Sequence, residues 1–390
     1  MLILRLILAA VTVIALAFAP GTSAGSVVAL AAAATDVALG ASVGPALHIV
    51  GPMFVFLGAA LTLAATLARA GLGERVATAL AVRARGSSYR LYAHVCVLCA
   101  LLTATVSLDG AVVLMVPPLL ALKRHRAPFP SLFLGTVVVA NAFSIAVPQG
   151  NPTNLLIIAR LGLSPDAFLA HMLAPGLLAA ALCAGAVAAG ERHRLAVPYR
   201  APAPDAKAPT SPPMPPTRGP LLALLLAALA AWIAPLFGVA PSWPFAAAVA
   251  LALLATRTRP ATIVPWQIGV QIASALLVVQ ALGVPQLGPT ASQALPALLL
   301  VSASVGAAAA LLNNLPVGAS VVALVTAAPV GYAASVGLAV GSLATPQGSV
   351  ATLLAKDLAG RDAPTVQTRR LAPLAATAVA TATLAAWLTL

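Results

Sequence analysis

Residues 148–156 read Pro148-Gln149-Gly150-Asn151-Pro152-Thr153-Asn154-Leu155-Leu156, and residues 346–354 read Pro346-Gln347-Gly348-Ser349-Val350-Ala351-Thr352-Leu353-Leu354. Five of the nine positions are identical, and each copy interrupts a long apolar run. In lipid a polar Pro/Gly interruption is costly, because the backbone groups it frees find no water. Two such breaks at matching places in two halves of a chain point to a duplicated transporter core with its binding site between them.

The composition around these stretches fits that reading. Of 390 residues, 61% are hydrophobic and only 7% charged, with a mean hydropathy of +1.03. A soluble domain carries roughly a quarter charged residues. Several runs approach the ~20 apolar residues that span a bilayer, and none alternates as the strands of a membrane barrel do. The sequence therefore predicts an all-α polytopic membrane protein. The net charge of +13 sits in short clusters between apolar runs, which marks cytoplasmic loops rather than a nucleic-acid surface. Cys96, Cys99 and Cys183 lie within apolar runs and read as small core residues.

Residues 1–24 resemble a signal peptide, read here as a retained first helix. Segments 3–20 and 24–42 are weak spans, with Asp36 near an interface; 46–69 is a clear span. The charged stretch 70–90 is expected to be a cytoplasmic loop. Segment 91–122 divides at Ser107-Leu108-Asp109-Gly110, and both its outer ends are basic. It reads as a re-entrant hairpin on the cytoplasmic face with Asp109 at its tip. Segment 131–160 is too long for one straight span and breaks at 148–152; 166–190 leads back to Glu191-Arg192-His193-Arg194.

Residues 195–219 form a Pro-rich cytoplasmic linker, separating a first repeat, 1–194, from a second, 220–390. The second repeat offers spans, a hairpin 292–328 with the polar tip Asn313-Asn314-Leu315-Pro316, and a helix 329–356 broken at 346–349. No Lys or Arg lies between 260 and 355, so this hairpin is expected to open to the other face. Residues 357–370 form the last cytoplasmic loop, and 371–390 a final span. The result is an inverted-repeat transporter with two re-entrant hairpins and two broken transmembrane helices. Arg5 argues for an N-terminus inside, whereas strict inversion argues for one outside.

The breaks carry the chemistry. Asn151 before Pro152 is a strong helix start. Ser349 can cap the helix beginning at Val350, Asp109 that of 110–122, and Asn314 that opening at Leu315. Four helix starts facing one volume would present unpaired N–H groups and partial positive charge to an anion or oxygen-rich solute. Gln149, Asn151, Thr153, Asn154, Asn313, Asn314, Thr345, Gln347, Ser349 and Thr352 add donors and acceptors; the same oxygens suit Na⁺. Gly150 and Gly348 allow close backbone approach. Alternatively, these polar groups satisfy only one another. Asp109 caps a helix, carries a proton or holds a cation; intramembrane carboxylates are functional candidates by default. Cys96-x-x-Cys99 could meet a thiol-seeking metalloid, but reads as helix packing.

At these residues the chain resembles the ion-transporter superfamily, most closely its arsenite/antimonite efflux permease branch. The resemblance lies in Leu108-Asp109-Gly110 through Pro117, Ala140-Asn141, Gly150-Asn151-Pro152-Thr153-Asn154, Asn313-Asn314-Leu315-Pro316, Thr345 to Leu354, and Pro265-Trp266. It implies a scaffold plus a mobile transport part moving like an elevator, often in homodimers, and adds Asn141 to the site. It also implies a secondary active transporter in a bacterial-type inner membrane, expelling arsenite or antimonite in exchange for protons. The same fold suits a Na⁺- or H⁺-coupled carrier of dicarboxylate, sulfate or another small anion, or a cation/proton antiporter. An ATPase subunit is a further possible partner; no cofactor, metal or enzymatic activity is expected. A channel or membrane receptor fits the broken helices poorly. Leu108, Gln149 and Gln347 depart from the family pattern at the site itself.

Overall fold

The computed structural model describes residues 1–19, 22–69, 71–201, 226, 229–230, 233–255, 266–283, 293–365 and 367–390. Most of the Pro-rich linker, the basic turn Arg257-Thr258-Arg259 and Pro265 lie outside the described residues. What is described is all-α, as an apolar chain must be where every backbone group has to be paired internally.

The first half runs α1 (Leu2–Phe18), α2 (Ser23–Ala38), α3 (Gly44–Arg69), α4 (Leu72–Arg83), α5 (Ser88–Ala121), α6 (Phe129–Phe143), α7 (Pro152–Leu161), α8 (Pro165–Gly190) and the short α9 (Arg192–Leu195). In the second half follow α10 (Ser242–Ala255), α11 (Trp266–Ala281), α12 (Leu295–Leu312), α13 (Asn314–Leu324), α14 (Ala328–Val340), α15 (Val350–Ala359) and α16 (Thr368–Trp387). By length and composition five described helical stretches are apolar enough to cross a membrane, the folded Ser88–His125 stretch counted among them. The breaks split others into shorter apolar helices, α13 and α14 among them.

α5 is two arms. A straight helix of its 34 residues would be about 51 Å long, with Leu91 and Leu122 at opposite ends. Instead Leu91, Val95, Leu98 and Leu102 line one small cavity together with Leu114, Pro118 and Leu122. The chain turns at Val106 (φ −126°, ψ 18°) and Ser107 (φ 69°, ψ 169°). Its two ends are pinned side by side, because Tyr199 N donates to Gly86 O at 3.0 Å and Arg200 N to His125 O at 2.8 Å. Ser87 caps the first arm by accepting from Arg90 N at 3.3 Å.

The stretch expected as a loop at 70–90 carries helix α4. Its Leu72, Val76 and Leu80, spaced i, i+4, i+8 on one face, line the cavity between it and the hairpin arms. A Cβ at Gly73 would stand 2.5 Å from Pro118 Cγ and 2.8 Å from Leu114 O. Only glycine lets α4 sit this close.

Contacts between segment ends fix which way each helix runs. The basic segments gather at one end: Lys123 pairs with Asp362, Arg194 and Arg370 both reach Glu191, and Tyr89 OH donates to Arg192 O. At the opposite end Arg5 Nη1 donates to Ala281 O at 2.7 Å, and Arg5 Nε lies 3.6 Å from Asp36. Arg160 Nε donates to Val322 O, and Trp387 Nε1 to Gln293 O. The first hairpin therefore opens at the basic end, and the second, α12–α13, at the opposite end. The N-terminus also lies at that opposite end. Arg5 is thus not a free loop charge but the partner of a buried Asp36.

Packing is tightest where glycine replaces side chains. A Cβ at Gly341 would lie 2.4 Å from Gly306 Cα, and one at Gly337 2.5 Å from Ser302 O. Thr383 Oγ1 donates to Ser302 Oγ at 2.9 Å, so α16 joins the same contact.

Candidate functional site

The two breaks follow the same backbone path. After α6, a 3₁₀ turn at Ser144–Ala146 leads to extended Val147 (φ −134°, ψ 150°), a second turn at Pro148–Gly150, extended Asn151 (φ −139°, ψ 135°), and then α7. After α14, a 3₁₀ turn at Gly341–Ala344 leads to Thr345 (φ −132°, ψ 154°), then Ser349 (φ −126°, ψ 133°), and then α15. Ser144 Oγ donates to Asn141 O at 2.7 Å, and Ser342 Oγ to Ala339 O at 2.8 Å, 198 residues on. A Cβ on Gly150 would stand 2.4 Å from Ser144 O, and one on Gly348 2.2 Å from Ser342 O. Both glycines are obligatory for the same reason.

The breaks differ in how they are held. At the first, Asn151 caps α7: its Oδ1 accepts from Thr153 N at 3.1 Å and Thr153 Oγ1 at 2.9 Å, while Nδ2 donates to Ser144 Oγ at 3.3 Å. Asn154 Nδ2 bridges Ser144 O (2.8 Å), which the missing helical turn leaves without a helical partner, and Val147 O (3.0 Å), which also accepts from Gly150 N at 3.1 Å. Gln149 Nε2 donates to Ala104 O at 2.7 Å, tying this break to the first hairpin. Asn141 Nδ2 bonds Val137 O within its own helix.

The second break is stitched to the second hairpin tip. Asn313 Nδ2 donates to Gln347 O at 2.9 Å, Asn314 N to Gly348 O at 2.8 Å, and Thr345 Oγ1 to Ala310 O. Asn314 Oδ1 receives Val350 N at 3.4 Å.

Several sequence expectations need correction here. Asp109 does not cap the second arm of its hairpin. Ser107 sits at the turn with its Oγ 3.5 Å from Gly110 N, and Asp109 lies inside the arm. Asn313, not Asn314, caps α13, accepting from Leu315 N at 3.2 Å. Asn314 reaches across to α15 instead. Ser349 makes no cap bond, and Gln347 is exposed, whereas Gln149 is buried. Thr352 is buried on α15.

Sequence reasoning missed Ser107 and Ser144. Ser107 (φ 69°, ψ 169°) and Asn313 (φ 81°, ψ 146°) both sit at positive φ at the hairpin turns, a region costing non-glycine residues of order 1–3 kcal/mol. Extending the repeat a few residues upstream would have found Ser144, because Ser342 matches it in register.

The halves meet crosswise. α7, which follows the first break, packs on α13 and α14; α15, which follows the second, packs on α5 and α6. A Cβ on Gly318 would lie 2.8 Å from Thr153 Cγ2. Thr153 at the start of α7 therefore lies about one helical turn from Asn314, which holds the start of α15.

What remains is an excess of acceptors. Asp109 Oδ1, Asn141 Oδ1, Gln149 Oε1, Asn154 Oδ1 and Ser349 Oγ are buried with no hydrogen-bond partner among the described residues. Three of the five belong to the first hairpin and first break, and Asn141 to the helix leading into that break. The expected excess of donors there is not found, because Asn151 and Asn154 consume what the break exposes.

A family model described as the citrate transporter family, CitMHS, matches residues 1–345. This chain belongs to the citrate transporter family. The family that the model describes is one of transporters, and the all-α chain with its several long apolar helices has the build of a multi-pass membrane protein. The family is named for citrate, and the match does not single out the arsenite branch. A curated relative, "Inner membrane protein YbiR" of Escherichia coli (strain K12), is 36% identical over 92 residues, 23% of this chain and 25% of that protein. The similarity thus spans about a quarter of that relative's length.

Proposed function

We propose that the chain is a secondary active carrier that moves a small carboxylate of the citrate class together with a cation, exposing its two breaks alternately to either side. The observation that carries this reading is the group of buried oxygens Asp109 Oδ1, Asn141 Oδ1, Gln149 Oε1 and Asn154 Oδ1, set around the first hairpin and break without a donor. Hard cations are held by such carboxylate and carbonyl oxygens, and Asp109 is the candidate proton carrier if the coupling ion is H⁺ rather than Na⁺. The anion belongs at the second break. There Ser349 makes no cap bond and only Val350 N is taken, by Asn314 Oδ1, so the amides of Ala351 and Thr352 have no intrahelical acceptor by position.

In this reading the halves are inverted repeats, the hairpins and broken helices form the moving part, and the basic end faces the cytoplasm of a bacterial-type inner membrane. A homodimer is compatible with it, and an attached ATPase subunit is not required. The test is uptake into proteoliposomes. Citrate accumulation driven by an imposed proton or Na⁺ gradient is the expected result; citrate flux indifferent to both gradients overturns the coupled reading.

A second reading, arsenite or antimonite efflux in exchange for protons, is favoured by one feature. No Lys, Arg or His lies within either break, and a neutral polar solute needs no cationic partner. Proton-driven accumulation of arsenite in everted vesicles, without citrate transport, would select it.

A further inference from the structure

We propose that the cavity between α6, the α8–α9 junction and the segment leading into α16 is a second, anion-binding site, separate from the breaks and independent of the cargo they carry. The cavity has a volume of about 150 Å³ and is lined by Glu191, Arg194, Thr365, Gln367 and Arg370, with Pro130 and Leu134 of α6 forming one wall. It lies at the basic end of the molecule, where two guanidinium groups converge on one buried carboxylate.

The inventory of donors and acceptors decides the ligand class. Glu191 is buried, and its Oε2 accepts from Ser131 Oγ at 3.0 Å and Arg194 Nη1 at 2.6 Å. Arg370 Nη1 stands 3.6 Å from Glu191 Oε1. That gives charge compensation without a hydrogen bond, so the Arg370 guanidinium keeps all its donors uncommitted among the described residues. Gln367 Oε1 is taken by Arg369 Nε at 3.2 Å, which leaves the Gln367 amide NH₂ free. The Thr365 hydroxyl has no partner among the described residues. Glu191 Oε2 and Gln367 Oε1 are therefore engaged and Glu191 Oε1 is compensated by Arg370 through charge alone, while the Arg370 guanidinium, the Gln367 amide NH₂ and the Thr365 hydroxyl are left to donate, with one net positive charge over Glu191, Arg194 and Arg370. This is the reverse of the first break, where acceptors are left over.

A planar guanidinium with free N–H groups matches a carboxylate or phosphate in bidentate fashion. The site is therefore assigned to a small oxyanion, either free phosphate or the phosphate of a lipid headgroup, since the basic end of a membrane protein meets both. An anion here would brace α6, which leads into the first break, against α16, which holds Ser302 of the second hairpin through Thr383. Occupancy would thus stiffen the contact between the two halves without touching the transported solute.

The test uses the purified full-length protein and its thermal unfolding midpoint. Inorganic phosphate is titrated in detergent, and phosphatidylglycerol is compared with phosphatidylcholine in nanodiscs. The variants are Arg370→Gln, at an exposed position that should not impair folding, and Thr365→Val. The expected result is a phosphate-dependent rise in the midpoint whose apparent Kd is about tenfold weaker in Arg370→Gln. A rise seen only with phosphatidylglycerol, and lost in Arg370→Gln, assigns the site to the headgroup. Stabilisation equal in wild type and Arg370→Gln places binding elsewhere, the central site included, and overturns the proposal. No stabilisation of the wild type by either probe overturns it as well.

Discussion

Replacing Gly348 by alanine tests the second break most directly. The added Cβ would sit 2.2 Å from Ser342 O and 3.0 Å from Ala310 Cα. Both neighbours are backbone, so no flexible side chain can swing away. Reaching a tolerable 3.4 Å from the carbonyl requires a displacement of about 1.2 Å in a tightly packed interior. The move has a direct casualty: Asn314 N donates to Gly348 O at 2.8 Å, and a shift of that size stretches the bond past hydrogen-bond range. The neighbouring Asn313 Nδ2 bond to Gln347 O, at 2.9 Å, is strained with it. Overpacking costs about 1–3 kcal/mol, and two buried hydrogen bonds contribute about 0.5–1.5 kcal/mol each. The sum is roughly 2–6 kcal/mol. The unfolding midpoint of the purified variant should fall by several degrees, and uptake into proteoliposomes should fall at least tenfold. Gly348→Ala with wild-type midpoint and wild-type KM and kcat would refute the reasoning, because it would mean the second hairpin is not held through this contact.

The remaining predictions concern the first break and the tips. Asp109→Asn should remove the dependence of uptake on the coupling cation while leaving the protein folded; an unchanged cation and pH profile removes Asp109 from the mechanism. Asn154→Leu leaves Ser144 O buried without a donor and Val147 O with only Gly150 N. At about 1–3 kcal/mol per orphaned group, it should lower the yield of folded protein sharply, and a midpoint equal to wild type would contradict the role given to its amide. Ser107→Gly should stabilise the protein by about 1 kcal/mol, since glycine accepts the positive φ that serine resists; a lowered midpoint would show that the weak Ser107 Oγ contact with Gly110 N outweighs the strain. Deleting residues 202–216 should change transport by less than about twofold, because shortening a linker alters its closure entropy only slowly. The cut must spare Arg200, whose amide holds His125 O, and a well-expressed but inactive deletion would show the linker is no passive spacer.

Much of this architecture could be read from residue order because membrane chains punish broken helices. A Pro/Gly interruption in an apolar run must have a reason, so the positions of both breaks were legible. The caps were not. Asn313 and Asn314 are the same residue, and so are Gln149 and Gln347. Which Asn caps depends on which residue takes the positive φ at the turn, and which Gln is buried depends on whether a carbonyl such as Ala104 O stands opposite. Helix α4 was hidden by the five charges of its stretch, three of them (Glu74, Arg75, Arg83) inside the helix, although Leu72, Val76 and Leu80 keep a helical spacing. The surplus of acceptors at the first break was also hidden. Composition shows equal numbers of amide donors and acceptors there, and only the fold reveals that the donors are spent on the backbone.

The glycine crossing of α12 with the end of α14 has one more bearing on how the molecule can move. With Gly306 and Gly341 in backbone contact, no cushion of side chains exists in which α12 and the end of α14 could slide. They form a single lever. Displacement must then be taken up along joints lined by side chains, α3 against α5 and α11 against α13. Spin-label pairs across those two joints should report changing distances during turnover, while a pair across the glycine crossing should stay fixed.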